Sequence, residues 1–138
     1  MISAACGLPM SVQVGFTGVA EMTVTVDDTA TALGSGDVEV LGTPRLIALL
    51  EEATRAAIRD ALPAHQTSVG SQISVRHRKP SFPGAQVFAM ATVTEVDGSR
   101  VTFEVSAAHV SGEGEREERI AVGTITRVLV ERSAFAAG

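Results

Sequence analysis

The strongest pattern along the chain is helical, and it lies between Thr43 and Asp60. Apolar side chains recur there every three or four residues, as they do on one face of an amphipathic helix. That face consists of Leu46, Leu49, Leu50, Ala53 and Ala57. Thr43 is a good N-cap, Pro44 suits the first helical position, and Pro63 requires the helix to end before it. The sequence therefore predicts one long helix from Thr43 to about Asp60.

Two adjacent glutamates in this helix occupy different positions around its axis. Glu52 lies with Arg45 and Arg59 opposite the apolar face, so we expect its side chain in solvent. Glu51 lies on the flank beside Ile47, where a side chain borders both core and surface. Glu51 is therefore the glutamate that can face a cleft.

Alternation of apolar and polar residues predicts strands in the rest of the chain. The predicted strands are Val19–Asp28, Val69–His77, Ala85–Val96, Val101–Val110 and Ile120–Val130. Thr29–Leu33 either extends the first strand or forms a short second one, and Asp97-Gly98 is a strong hairpin signal. The predicted loops are Gly34–Asp37, Pro80–Gly84 and Gly112–Glu118. One strand, one long helix and four strands predict a single α+β domain over residues 1–138.

The same alternation assigns side chains to faces of the sheet. In the predicted strand Val69–His77 we expect the inward set to be Val69, Ser71, Ile73, Val75 and His77. The strand after the hairpin has an inward set of Val101, Phe103, Val105 and Ala107. His109 shares that phase at the strand end, where we expect a structural or exposed role. Gly123, inside the last strand, predicts either a bulge or the close approach of another backbone.

The strand before the hairpin carries apolar residues on both of its faces. Val87, Ala89, Ala91 and Val93 form one set, and Phe88, Met90 and Val96 form the other. One helix cannot cover both faces of a sheet. This excess of apolar surface predicts a homodimer, with pairing of dimers into tetramers left open.

Composition excludes several classes of protein. The 138 residues carry a net charge of −5, which argues against nucleic acid as a partner, because that binding relies on a basic surface. Cys6 is the only cysteine, as expected in a reducing compartment. No Lys or Arg precedes Arg45, so the charged start of a signal peptide is missing, and no apolar run is long enough to span a membrane. We therefore expect a cytoplasmic protein that binds no membrane and, lacking a His/Cys/Asp cluster, no metal.

Thr43, Glu51 and His77 combine side chains that can perform acyl transfer, although each also has an ordinary explanation. Thr43 serves as an N-cap in any helix of this kind. Glu51 precedes Arg55 by four residues, the spacing of a surface ion pair. An inward histidine such as His77 is more often part of a core than a catalyst. Only the joint spacing of the three residues favours a site.

A resemblance to a known family supports the interpretation of these three residues as a site. Its residues are Gly42-Thr43, Glu51, Val69-Gly70, His77, Pro80, Pro83-Gly84, Gly123-Thr124, Arg127 and the hairpin from Val93 to Phe103. The chain resembles the hotdog fold, in which a curved antiparallel sheet wraps around one central helix. Within that superfamily it is similar to the fluoroacetyl-CoA thioesterase-like branch, from about Val14 to Val130.

The resemblance implies a function and a set of site residues. Thr43, Glu51 and His77 would be the catalytic triad of an acyl-CoA thioesterase that needs no cofactor beyond the coenzyme A of its substrate. Substrate contacts would come from Gly70, whose N–H is a candidate oxyanion donor, and from Arg76, Arg78, Lys79 and Arg127, which are candidates for the CoA phosphates. The branch has phenylalanines where this chain has Gly36–Gly42, and a histidine where it has Ile125. These departures favour an acyl group other than fluoroacetyl.

Three alternatives remain open at this level. Glu51 can act as a general base toward water or attack the thioester directly to give a mixed anhydride. The same fold can hold an acyl-CoA, or another apolar ligand, without turnover. A hotdog hydratase or dehydratase is less favoured, because no histidine lies near the Thr43–Glu52 segment.

Overall fold

The computed structural model describes residues 11–110 and 117–135. Its elements are β1 (Thr17–Thr23), α1 (Ala30–Leu33), α2 (Thr43–Ile58), β2 (Gln66–His77), β3 (Gln86–Asp97), β4 (Arg100–Val110) and β5 (Glu117–Glu131). Short 3-10 turns occur at Val26–Asp28, Arg59–Ala61 and Arg132–Phe135. Cys6 and most of the predicted loop Gly112–Glu118 lie outside the described residues.

The five strands form one antiparallel sheet in the order β1-β3-β4-β5-β2. β3 and β4 form the predicted hairpin, but its two-residue loop is Gly98-Ser99, since Asp97 pairs with Arg100. Gly98 has φ 61°, a left-handed conformation that glycine adopts at little cost. β1 and β2 are the two edges, so β2 is hydrogen-bonded to β5 on one side only.

The core lies between α2 and the concave face of this curved sheet. Leu46, Leu49 and Leu50 of the predicted apolar helix face are fully buried. The inward sets of β3 and β4 meet them, and these are buried as well: Val87, Ala89, Ala91, Val93, Val101, Phe103, Val105 and Ala107. Burying a side chain the size of leucine contributes about 1.5–3 kcal/mol. The predicted α+β architecture, a sheet wrapped around one long helix, is confirmed.

The first strand is shorter than predicted. Pairing ends at Thr23, and the segment expected to continue it turns into a 3-10 turn and the helix α1. Two threonines start these turns. The Thr25 N–H donates to the Asp28 carboxylate at 2.8 Å, and the Thr29 hydroxyl accepts from the Ala32 N–H at 3.2 Å. Local side-chain hydrogen bonds of this kind compete with a β-ladder, so the strand prediction for Val26–Leu33 is wrong.

Helix α2 begins one residue earlier than its capping pattern suggested. Gly42 is the N-cap, and Thr43 is already the first helical residue. The Thr43 hydroxyl therefore does not cap the helix and can bind elsewhere. At its other end α2 stops at Ile58 and continues as a 3-10 turn to Ala61, close to the predicted end at Asp60.

Strand β2 contains a bulge that alternation alone did not reveal. Gly70 pairs with Arg127 and Gln72 with Thr126, so Ser71 is an extra residue. Directly opposed residues of neighbouring strands have their side chains on the same face of the sheet. The extra residue therefore shifts the inward–outward alternation of β2 by one position. Gly70 and His77 both face inward as a result. Val69 faces outward and is 38% exposed, so its assignment to the inward set is wrong.

Gly123 lies where β5 is approached closely by its neighbour. A side chain there would collide with the Ser74 carbonyl and the Val75 Cα of β2. The pairing through Gly123 is regular on both sides. Of the two predicted explanations, close backbone approach is the correct one.

Candidate active site

The start of α2 and the end of β2 bring Thr43 and His77 together. The Thr43 Oγ1 and His77 Nδ1 atoms are 2.8 Å apart and share a hydrogen bond. The segment before α2 is held against the segment after β2, because the Leu41 N–H donates to the Ser81 carbonyl at 2.8 Å. Two residues separated by 34 positions thus form a fixed pair.

The two nitrogens of the His77 ring lie in different surroundings. Nε2 is buried and has no hydrogen-bond partner among the described residues. Burial lowers the pKa of His77 below its usual value of about 6.5, although a backbone hydrogen bond with Lys79 partly opposes this. A neutral imidazole with one nitrogen engaged by Thr43 can accept a proton on the other.

A second polar network holds the segment that follows His77. The Ser81 hydroxyl lies 2.6 Å from His109 Nε2, and His109 Nδ1 lies 3.2 Å from the Glu118 carboxylate. Lys79 donates to the other Glu118 oxygen at 2.8 Å. Serine, histidine and glutamate in this order can form a nucleophile with its base, but Ser81 is fully buried and out of reach of a substrate. The network has the structural role expected for His109: it fixes Lys79–Ser81 beside His77.

The Thr43–His77 pair opens onto a surface cleft of about 320 Å³. The cleft is lined by Ala30, Ser35, Val40, Leu41, Gly42, Thr43, His77, Arg78, Lys79 and Pro80. Two positive charges therefore stand beside the pair, although Lys79 is engaged with Glu118. A small anionic or polar group can reach both the imidazole and the start of α2 here.

Glu51 lies in a different cluster, with Gly70 and Arg127. Its Oε2 is 3.7 Å from Arg127 Nη1, and its side chain is one third exposed. Gly70 presents no side chain, and a Cβ at that position would collide with the Glu51 carboxylate. The bulge that turns Gly70 inward thus creates the space in which the carboxylate lies. Glu52, as expected, is exposed.

Arg127 is positioned to hold the Glu51 carboxylate. Its Nε and Nη2 donate to the hydroxyl and the carbonyl of Ser68 at 2.8 and 2.9 Å, which leaves Nη1 facing Glu51. Burial lowers the pKa of Arg127, and the charge of Glu51 opposes that shift. An arginine stays protonated in any case. Arg127 was expected among the CoA-phosphate residues, but at 4% exposure it faces the core and Glu51 instead.

The two clusters are separate within one chain. Glu51 follows Thr43 by eight residues along α2, which corresponds to about 12 Å. Among the described residues no hydrogen bond joins the Glu51 carboxylate to Thr43 or His77. One chain therefore presents a Thr43–His77 half and a Glu51–Arg127 half, rather than a closed triad.

The other predicted substrate residues lie near the first cluster. Arg78 and Lys79 line its cleft, with their backbone N–H groups directed to the Ile120 carbonyl. Arg76 is exposed and, by alternation from His77, projects from the opposite face of β2. The role of Ser68 and the position of Arg127 beside Glu51 were not predicted. The alternation along β5 could have indicated the position of Arg127, because this residue is two positions after the buried Ile125 and therefore faces inward as well.

Two further features of the described residues concern cofactors and membranes. Nowhere in residues 11–110 and 117–135 do three or more His, Cys, Asp or Glu side chains gather closely enough to hold a metal ion. None of the helices in those ranges has both the length and the apolar character needed to cross a membrane.

Comparison with known proteins gives the family. The sequence profile of the family described as "FlK: Fluoroacetyl-CoA-specific thioesterase" matches residues 24–133. No curated protein sequence matches the chain.

Solved structures agree with the profile. A structure of the fluoroacetyl-CoA thioesterase FlK superposes with a TM-score of 0.77 at 26% identity, over 89% of this chain and 91% of FlK. An FlK mutant in complex with fluoroacetate and CoA gives 0.78 at 26% identity, over 89% and 98% of the two chains. A Thermus thermophilus protein of the thioesterase superfamily gives 0.79 at 26% identity, over 90% and 88%. The chain belongs to the fluoroacetyl-CoA-specific thioesterase family, has the hotdog fold of its structural relatives, and is a thioester hydrolase.

Proposed function

We propose that the protein hydrolyses acyl-CoA thioesters with Thr43, Glu51 and His77 as its catalytic residues. The observation that carries this proposal is the 2.8 Å contact between Thr43 and His77, which leaves a buried, unpaired Nε2 on a histidine of lowered pKa. A thioesterase needs a neutral base of this kind to accept a proton and then return it to the leaving thiolate.

The chemistry divides between the two clusters. Thr43 orients the imidazole, and Arg127 and Gly70 position the Glu51 carboxylate. The carboxylate either removes a proton from water, which attacks the carbonyl carbon, or attacks that carbon itself. In both routes the C–S bond breaks, the thiol leaves with a proton, and water supplies the oxygen of the free acid. The start of α2 and the N–H of Gly70 are the proposed donors to the oxyanion.

We infer a homodimer that completes the site. β2 is an open edge of the sheet, and its exposed Val69 and Ile73 (38% and 40%) favour pairing with a second copy. Antiparallel pairing of two identical strands brings the start of one beside the end of the other. Glu51, beside Gly70, would then approach His77 of the partner subunit. On the outer face of the sheet Met90 is 41% exposed, which offers a surface for two dimers to form a tetramer.

The substrate is proposed to carry an acyl group other than fluoroacetyl. The segment Gly36–Gly42 has no phenylalanine, and Ile125 is fully buried in the core. Arg78 and Lys79 would contact the substrate near the reacting carbonyl, since they line the same cleft as His77. Arg76 would contact it only from the edge of the dimer. No cofactor is proposed, and the single cysteine supports a cytoplasmic location.

Thiol release over a panel of acyl-CoAs of increasing chain length tests the proposal. The parent should hydrolyse at least one of them, and His77→Ala should reduce kcat by about 100-fold or more. Glu52→Gln, at an exposed position on α2, is a surface control that should leave kcat unchanged. Saturable acyl-CoA binding without thiol release by the parent would instead identify a binding module. Equal rates for the parent and His77→Ala would overturn the assignment of His77.

A further inference from the structure

Three arginines line one cleft at the end of α2, away from the Thr43–His77 pair. Arg55 lies in the last turn of the helix, Arg59 directly follows it, and Arg132 follows β5. The cleft has a volume of about 220 Å³. Its lining is completed by Ile58, Leu62, Pro63, Ala64, Gln66, Thr67 and Ser68.

The positive charge of this cleft is not neutralised by the residues that line it. None of them is an aspartate or glutamate, although the chain as a whole carries a net charge of −5. Glu131, which borders Arg132, is already engaged by His65 at 2.7 Å and by Gln66 at 3.2 Å. Arg55 and Arg59 are four residues apart, a spacing at which like charges repel each other. An anion in the cleft would relieve this repulsion.

One of the arginines is held in place by the backbone. Arg132 donates from Nε to the Ala64 carbonyl at 2.9 Å, and its own N–H donates to the His65 carbonyl at 2.9 Å. Among the described residues no hydrogen bond engages the two terminal nitrogens of this guanidinium, while Nε and the backbone hold the side chain in place. A guanidinium presented in this way suits the paired oxygens of a phosphate group.

The cleft borders the Glu51 cluster at Ser68. Ser68 lines the cleft and also accepts both hydrogen bonds from Arg127, whose third nitrogen faces Glu51. Arg59 follows Glu51 by eight residues, or about 12 Å along the helix. A long, uncharged arm of a substrate that reacts at Glu51 can therefore extend along α2 and end at the arginines.

We propose that Arg55, Arg59 and Arg132 bind the phosphate groups of the coenzyme A nucleotide, with the pantetheine arm running from there to Glu51. This inference rests on the proposed function for the identity of the substrate. It assigns the phosphates to this cleft rather than to Arg78 and Lys79, which lie at the reacting end of the substrate.

Binding and kinetics with carriers of decreasing charge test the proposal. The triple variant Arg55→Gln, Arg59→Gln, Arg132→Gln should bind free coenzyme A at least tenfold more weakly than the parent in titration calorimetry. Its KM for acyl-CoA should rise by a similar factor, with kcat within about twofold of the parent. The matching acyl-pantetheine carries no phosphate, so its kcat/KM should be the same in both proteins. Acyl-dephospho-CoA should show an intermediate effect if the 3′-phosphate is one of the groups bound.

The outcomes separate this inference from the proposed function. Arg119→Gln removes one arginine charge at the end of β5 opposite Arg132 and should change none of these values. Calorimetry with free coenzyme A needs no turnover, so it tests the cleft even if the parent releases no thiol. Unchanged coenzyme A affinity in the triple variant would overturn the inference. So would a tenfold loss on Arg78→Gln alone, or an equal loss of kcat/KM with acyl-pantetheine.

Discussion

Gly70→Ala moves the Glu51 carboxylate without changing any charge. A Cβ at residue 70 would collide with Glu51 Oε2. Nonbonded atoms pack at about 3.5 Å, so the carboxylate must retreat by roughly 1 Å. Glu51 can retreat at little cost, because its side chain is flexible and one third exposed. Alanine is also better suited than glycine to a strand interior by about 0.5–1 kcal/mol.

The expected result is a loss of activity with little change in stability. A misplacement of about 1 Å in a catalytic group can cost about 100-fold in rate. We therefore expect kcat for thiol release to fall by about 100-fold, or about 2.7 kcal/mol in activation free energy. The free energy of unfolding, measured in urea, should change by less than about 1 kcal/mol.

A double-mutant cycle with Glu51→Gln tests the physical cause. If Gly70→Ala acts by displacing the carboxylate, Glu51→Gln should cost much less in the Gly70→Ala background than in the parent. Additive losses would show that residue 70 acts independently of Glu51. Parent-like kcat for Gly70→Ala would refute the role given to the position of the carboxylate.

The pKa of His77 and the packing around Ser81 and Gly123 lead to three further expected outcomes. Burial lowers the pKa of His77, so its neutral form persists below pH 6.5. The acid limb of the pH profile of kcat/KM should therefore have its midpoint below pH 6.5. A midpoint above pH 6.5 would contradict the assignment of His77 as the base. Ser81→Ala removes the hydroxyl that His109 Nε2 contacts. The free energy of unfolding, measured in urea, should fall by about 1–3 kcal/mol. A change below about 0.5 kcal/mol would show that the Ser81–His109–Glu118 network contributes nothing to stability. Gly123→Ala forces a collision with the Ser74 carbonyl, which belongs to the backbone and cannot rotate away. The free energy of unfolding should fall by about 1–3 kcal/mol, measured by differential scanning calorimetry. An unchanged Tm would contradict the close approach of the two strands.

Periodic burial explains why much of the fold could be predicted. The face of α2 that contains Leu46 and Leu50 must be buried, and only a helical repeat puts those residues together. The hairpin followed from Asp97-Gly98, although the loop itself is displaced by one residue. Both signals are local, and the structure preserves them.

The errors arise where a local feature interrupts a repeat. Thr25 and Thr29 bind nearby backbone and side-chain groups and convert a predicted strand into helical turns. The extra residue Ser71 reverses the phase of β2. A bulge is stabilised by the partner strand, so the alternation of one strand cannot reveal it.

The sequence singled out Thr43, Glu51 and His77 as candidates but did not indicate how the structure arranges them. Thr43 and His77 do meet, but the sequence suggested a capping role for Thr43 that the structure gives to Gly42. The pairing of Glu51 with Arg127 depends on the register between β2 and β5, which no single segment contains. Tertiary pairing of this kind lies beyond what short sequence patterns can specify.

The most direct test of the central claim is the rate of thiol release by Glu51→Gln at saturating acyl-CoA, with substrate affinity measured in parallel. Gln has nearly the shape of Glu but is neither a base nor a nucleophile. Because this claim assigns the chemistry to Glu51, affinity should stay within a few-fold of the parent while kcat falls by about 1,000-fold. A Glu51→Gln enzyme that turns over at the parent's rate would contradict it.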